Sequence, residues 1–152
     1  MPLAPQELRT FFTTAVTANR RRLFQVASNA RLLLDLLQKD RAKNRYELHA
    51  FVLMPDHVHL ILTPAPDISI ERAMQFIKGG FSFRLRSKFE VWQSGFAKRR
   101  VEDAMAYRDH VRYLHENPVR ARLCERVEEF PYSSARGVIA VDPVPDHLMV
   151  RG

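Results

Sequence analysis

The spacing of apolar positions changes several times along this chain, and each change marks an element. Residues 8–17, rich in β-branched and aromatic side chains, predict a first strand. Over 26–43 the spacing lengthens, and Leu32, Leu33, Leu36 and Leu37 recur at i, i+3 and i+4, the stripe of a helix laid on a sheet. Two apolar runs, 46–54 and 57–63, then meet at Pro55-Asp56. Pro presets the dihedral of an early turn position and Asp tolerates the next, so the runs predict a tight β-hairpin, which Pro64-Ala65-Pro66-Asp67 ends.

A second helix is expected from Ser69, whose hydroxyl can cap the first turn, through Met74, Phe76 and Ile77 towards Lys88. Gly79-Gly80 interrupts it at roughly 1 kcal/mol per glycine relative to Ala, which marks a bend or a close approach to the backbone. Residues 91–101 predict a fourth strand, and Asp103 the N-cap of a last helix ending at Pro118. The order β-α-β-β-α-β plus one helix predicts an α+β, ferredoxin-like (RRM-like) antiparallel sheet with an additional C-terminal helix. Such a sheet has one face under two helices and one free for a ligand or a further helix. A single domain over 1–136 is expected, opened by a short leader at 1–7 and followed by a tail over 137–152 that either docks on the body or moves freely.

Composition narrows the function classes. The single Cys124 excludes an intramolecular disulfide framework and a cysteine zinc cluster, and with no arginine-led apolar leader or long apolar run to suggest export or membrane insertion the expectation is a cytoplasmic protein with no membrane partner. A net charge of +7 and a pI near 10.1 favour an anionic partner such as nucleic acid. Within 76–100 seven cations (Lys78, Arg84, Arg86, Lys88, Lys98, Arg99 and Arg100) face the lone acid Glu90. Phe76, Phe81, Phe83, Phe89, Trp92 and Phe96 are interleaved with them; most of these rings belong in the core, leaving one or two at the surface to stack on unpaired bases. Asn19-Arg20-Arg21-Arg22 is a basic loop, either a solvated turn or a second phosphate contact.

Candidate chemistry sits on the hairpin and on the last helix. Side chains alternate across a strand, so His57 and His59 leave one face while Val58, Leu60 and Leu62 leave the other. Paired imidazoles can grip a metal ion if a third ligand arrives from elsewhere; alone, such a pair more often makes ordinary hydrogen bonds. At 100° per residue the last helix places Ala104, Tyr107, Val111 and Leu114 on one stripe and Ala106, His110, Tyr113 and Asn117 on another. Tyr113 and Asn117, at i and i+4, can point into the same space, although a half-buried surface Tyr is the ordinary alternative.

Several stretches resemble one family. Met-Pro-Asp-His57-Val58-His59-Leu is similar to the His-hydrophobic-His hairpin of single-tyrosine HUH transposases, and Tyr113-Leu-His-Glu-Asn117-Pro-Val-Arg120-Ala to the tyrosine helix of REP-associated tyrosine transposases. Phe76-Ile-Lys-Gly79, Trp92-Gln-Ser-Gly-Phe96 and Phe130-Pro-Tyr-Ser-Ser134 extend the resemblance over 8–134. It implies a metal-dependent single-stranded DNA endonuclease and strand transferase that forms a 5′-phosphotyrosine on REP-type hairpins. In that pattern Tyr113 is the nucleophile, and His57, His59 and Asn117 hold a divalent Mg²⁺ or Mn²⁺. The implied partner is single-stranded or hairpin DNA, bound by a monomer or homodimer. Its backbone is expected on Arg20, Arg21, Arg22, Lys78, Arg84, Lys98, Arg99, Arg100 and Arg120. His110 and His115 are candidate bases for the tyrosine. The chain departs from the family at Ala97-Lys98-Arg99-Arg100, where relatives often carry acidic or histidine residues. Two alternatives are a non-catalytic single-stranded nucleic-acid binder on the same scaffold and a metal-dependent hydrolase using the His pair with Asp56.

Overall fold

The computed structural model describes residues 8–149; the expected leader at 1–7 lies outside the described residues. Strand β1 (Thr10–Val16) is the axis of the sheet, pairing antiparallel with β3 (His57–Pro64) on one side and β4 (Ala97–Val101) on the other. Strand β2 (Tyr46–Met54) forms the hairpin with β3, giving the order β2-β3-β1-β4. Helices α1 (Ala27–Ala42) and α2 (Ile70–Leu85) pack on one face and α3 (Ala104–Arg120) on the other. This is the α+β, ferredoxin-like arrangement with an added helix on the otherwise free face.

Alternation along the strands divides the interior in two. Ala15, Leu53, Val58, Leu60 and Leu62 join Leu33, Leu36, Leu37, Met74, Ile77 and Phe81 beneath α1 and α2. Val52, Ile61 and Val101 join Tyr107 and Leu114 beneath α3. Each large apolar side chain fully buried in this way is worth about 1.5–3 kcal/mol, so register and helix placement enforce each other.

Three element boundaries differ from the sequence expectation, at the end of α2, the start of β4 and the end of α3. Helix α2, capped by Ser69 Oγ accepting the Arg72 N–H at 3.0 Å, stops at Leu85 rather than Lys88, because Arg86 takes a left-handed conformation (φ 54°). It runs unbroken through Gly79-Gly80, so of the two expected roles it is close approach that applies: a Cβ on Gly80 would sit 3.1 Å from both Leu36 methyls, whereas Gly79 faces open space. Strand β4 begins only at Ala97; the preceding residues make a single bridge, Thr17 to Trp92, and Lys78 Nζ donates to the carbonyls of Gln93 and Gly95. Helix α3 passes Pro118 and ends at Arg120, with the Ala121 and Leu123 N–H groups donating to Asn117 O and Pro118 O, both at 2.9 Å. A proline in the last turn forfeits only one ladder bond, which the chain beyond it offsets.

The segment from 132 onward covers the free edge of β2. Leu53 N–H donates to Tyr132 O at 2.9 Å, and Asp142 N–H to Leu48 O at 2.7 Å. Both Asp142 carboxylate oxygens accept from Arg41 at 2.9 Å, and Leu148 is buried beneath α3. The described part of the tail is therefore docked, and it pairs polar groups an exposed edge would leave open.

The glycine pair provides a test. Gly79→Ala should raise stability by about 0.5–1 kcal/mol, while Gly80→Val should lower it by about 1–3 kcal/mol through overpacking against Leu36. Urea midpoints of the two variants decide it, and shifts of the same sign would show that α1 and α2 are not in tight contact at Gly80.

Candidate active site

The site starts at the hairpin turn. His57 and His59 leave β3 on the α3 face, their ring centroids 4.8 Å apart at an interplanar angle of 78°. Each ring is held at Nδ1. His57 Nδ1–H donates to Asp56 Oδ1 at 2.8 Å, and His59 Nδ1 lies 2.8 Å from Thr14 Oγ1 on the adjacent strand. With Nδ1 engaged, Nε2 of each imidazole is left for a ligand, the way metal-binding histidines are commonly oriented. Burial, reinforced by the nearby charges of His57 and Arg120, pushes the His59 pKa down to about 3, so this imidazole is neutral at physiological pH.

Phe12 is the centre of the cluster. Its ring stacks on His59 at 5.2 Å and on His110 at 4.8 Å, and meets Tyr113 edge-on at 6.1 Å. Tyr113 also stands edge-on to His59 at 6.1 Å and is 51% exposed, so its ring belongs to the cluster while remaining open to solvent. Asn117 follows one turn later, half-buried. The Arg120 guanidinium lies 4.2 Å from the Tyr113 ring centroid and donates to the Tyr113 carbonyl.

Two contacts secure α3. Asp103 Oδ1 accepts the Ala106 N–H at 2.7 Å, capping the first turn. On the side away from the histidine pair, His115 Nε2 lies 2.7 Å from Ser134 Oγ, which also bonds the Phe51 backbone of β2. His115 is thereby committed to positioning the helix. His110 remains in the ring cluster, and burial, helped by Arg99, lowers its pKa and favours the neutral imidazole.

The groups that could hold a divalent cation are the two imidazoles, each engaged at Nδ1, and the Asn117 carboxamide carried on α3. Among the described residues no three His, Cys, Asp or Glu side chains cluster as a metal site. Imidazole nitrogens together with a carboxamide oxygen would suit Mn²⁺ at least as well as Mg²⁺, which prefers oxygen and water. Asp56 is poorly suited to activate water. Burial would raise its pKa, but hydrogen bonds from His57 and Arg20 prevail and hold the carboxyl below its ordinary value.

The expected DNA contacts fall into several groups. Arg99 pairs with Phe12 across β1 and β4 and so shares the face of the site, whereas its neighbours Lys98 and Arg100 leave the opposite face. Lys98 is ion-paired with Glu71 at 2.6 Å. Arg20 bonds Asp56 at 3.2 Å, Arg21 donates to Glu90 O, and Arg22 is exposed beside them. Lys78 and Arg84 bond backbone carbonyls around α2, and Arg120 also lies 3.5 Å from Glu116. Phe12 and Thr14 are the residues of the candidate site that sequence reasoning missed. Their i, i+2 spacing on a strand was visible, but not the register that sets them beside His59.

Residues 10–117 match the family described as IS200-like transposases. The chain is 29% identical over 139 residues to the REP-associated tyrosine transposase of Escherichia coli (strain K12), a match spanning 88% of this chain and 83% of that protein. It is also similar to a solved structure of a REP-associated tyrosine transposase bound to a REP hairpin, with TM-score 0.74 and 28% identity over 93% of this chain and 88% of that one. A crystal structure from Deinococcus radiodurans R1, 23% identical with TM-score 0.52, shares the fold over 67% of this chain and 85% of its own.

The buried imidazole has a consequence for stability. A group whose pKa falls from 6.5 to about 3 on folding binds its proton more readily in the unfolded chain. Stability is therefore lost as pH drops through that window, at up to about 1.4 kcal/mol per pH unit. Between pH 7 and 5.5 the wild type should lose about 1 kcal/mol more than His59→Asn, read from urea midpoints at both pH values. Parallel losses would assign the acid sensitivity to other groups.

Proposed function

This chain belongs to the family of IS200-like transposases, and from that premise we propose that it nicks and rejoins single-stranded DNA through Tyr113. The observation that carries the reading is the convergence of Tyr113 with His59 around Phe12, His57 lying against His59, from strands and a helix far apart in sequence. On this reading the phenol oxygen attacks a phosphodiester phosphorus, the bond from phosphorus to the 3′ oxygen breaks, and the leaving oxygen takes up a proton as a 3′-hydroxyl. The downstream strand stays attached as a 5′-phosphotyrosine, and attack by a 3′-hydroxyl on that ester reverses the step and releases Tyr113. His110, on the same helical stripe and neutral, is the group best disposed to take the phenol proton, since His115 is engaged by Ser134.

His57, His59 and Asn117 would hold a divalent cation, which when bound would neutralise charge developing on the phosphate oxygens. Asp56 and Thr14 keep the two imidazoles turned for that role, and Phe12 packs His59 in place. Arg99 and Arg120, flanking the site, would draw in the DNA backbone. The hairpin-bound relative supports a REP-type hairpin with a single-stranded flank as the substrate. A water-activating hydrolase is less well supported, because the acid it would need, Asp56, is already bonded to His57 and Arg20.

Two measurements test this. With Mn²⁺ and an end-labelled hairpin oligonucleotide carrying its native flank, the fragment 3′ of the cut should migrate with the protein on denaturing gels, and Tyr113→Phe should reduce this by about 10³-fold or more. Cleavage that survives the substitution, with no protein-linked product, would replace the tyrosine reading with hydrolysis. Separately, Arg99→Gln should flatten the dependence of log affinity on log salt by about 0.7 for single-stranded DNA. An unchanged slope would move the DNA path off the Arg99 side of the sheet.

A further inference from the structure

Of the six rings in the basic stretch 76–100, Phe81 is buried and Phe76, Trp92 and Phe96 are half-buried, yet Phe83 and Phe89 stand 80% and 74% exposed. An aromatic ring left in water forgoes the stabilisation that burial would bring, so such a position calls for a partner. Phe89 has surroundings that Phe83 lacks. The Arg21 guanidinium lies 5.7 Å from its ring centroid, and Arg21 is itself fixed by donating to the Glu90 carbonyl. The Phe89 N–H donates to Ser87 Oγ at 3.0 Å, and two residues later Val91 O accepts the Ala18 N–H at 2.9 Å. The ring is thus carried on a tethered segment at a defined place.

That place is linked to the candidate active site through the segment after β1. Thr17, which bridges Trp92, also donates its N–H to Asp56 O at 3.0 Å; Arg20 bonds the Asp56 carboxylate, and Asp56 holds His57. A short chain of contacts therefore leads from the Phe89 platform to the histidine pair, at the end of the sheet where the hairpin turns. A strand whose phosphate lay at His57 and Tyr113 would meet Arg20 and Arg21, and then an open aromatic face, on leaving the site in this direction. Cations for the backbone and a ring for a base are what single-stranded nucleic acid requires.

We propose that Phe89, with Arg21 beside it, is a stacking platform for an unpaired base of the DNA strand that runs through the active site. The inference rests on the single-stranded DNA reading above, and names a contact outside the reacting centre. Every base offers a π-face, so the platform is tolerant of sequence but demands that the base be unpaired.

The test compares wild type with Phe89→Ala, Phe89→Leu and Phe89→Tyr, binding a fluorescent single-stranded oligonucleotide, the same oligonucleotide with abasic sites, and a blunt duplex. Unchanged circular dichroism and melting temperature establish that the exposed substitutions leave the fold intact. Phe89→Ala and Phe89→Leu should each weaken single-strand affinity about 10-fold, with Phe89→Tyr within about 2-fold of wild type. Duplex affinity should be unchanged, and abasic sites should erase the difference between wild type and Phe89→Ala. Full affinity in Phe89→Leu would mean plain apolar contact, and equal losses on duplex or abasic DNA would mean backbone binding; either overturns the platform, as would wild-type affinity in Phe89→Ala or no single-strand binding at all. Nicking by the wild type is scored on the same samples, so loss of the platform and loss of the nuclease reading are separate results.

Discussion

The antiparallel pairing of β1 with β3 is the constraint on which the rest of the molecule depends. It sets Thr14 opposite His59 and Phe12 opposite Ile61, and the period-two alternation then sends every other residue of both strands to the same side. A slip by one residue would turn His57 and His59 into the apolar layer beneath α1 and α2, and would put Val58 and Leu60 under α3. Because both faces are packed, that slip would cost many buried apolar contacts at once, and the register of the site is protected by the whole core.

With the register fixed, each face has its own task. The α1 and α2 side is a conventional apolar layer, drawn close where Gly80 lets Leu36 approach. The α3 side is apolar at one end, around Tyr107, Leu114 and Leu148, and becomes polar towards the hairpin turn, where His59, His110, Tyr113 and Phe12 gather. One helix thus both covers this face of the sheet and carries Tyr113. Its position is held from behind by His115 on Ser134, which ties two of the stretches that resemble the family into a single contact. The docked tail completes the assembly by covering the β2 edge, so the sheet presents charge and chemistry rather than an open strand.

Much of this was legible in the sequence because it is local. The helix over 26–43, the two-residue hairpin at Pro55-Asp56, and the caps at Ser69 and Asp103 depend on residues within a few positions of one another. Errors and open alternatives fell where a distant partner decides. Gly79-Gly80 left a bend and a close approach both open in isolation, and only the packing of Leu36 against Gly80 decides for the second. Pro118 reads as a terminus, yet α3 carries it in its last turn, with its ring buried. The fourth strand was drawn too long because 91–96 has strand-like residues but only a single bridge to the end of β1.

The candidate site divides along the same line. The sequence by itself determined which chemical groups are available: two histidines on one face of a strand, and a tyrosine and an asparagine one helical turn apart. Those follow from backbone periods that neighbouring residues set unaided. Only the tertiary structure decided that Thr14 would meet His59, that Phe12 would gather the rings of His59, His110 and Tyr113, that Arg99 faces the candidate site while Lys98 and Arg100 do not, and that Phe89 stands exposed. These choices join residues dozens of positions apart, and long-range pairing is settled by which arrangement buries the most apolar surface with its polar groups satisfied.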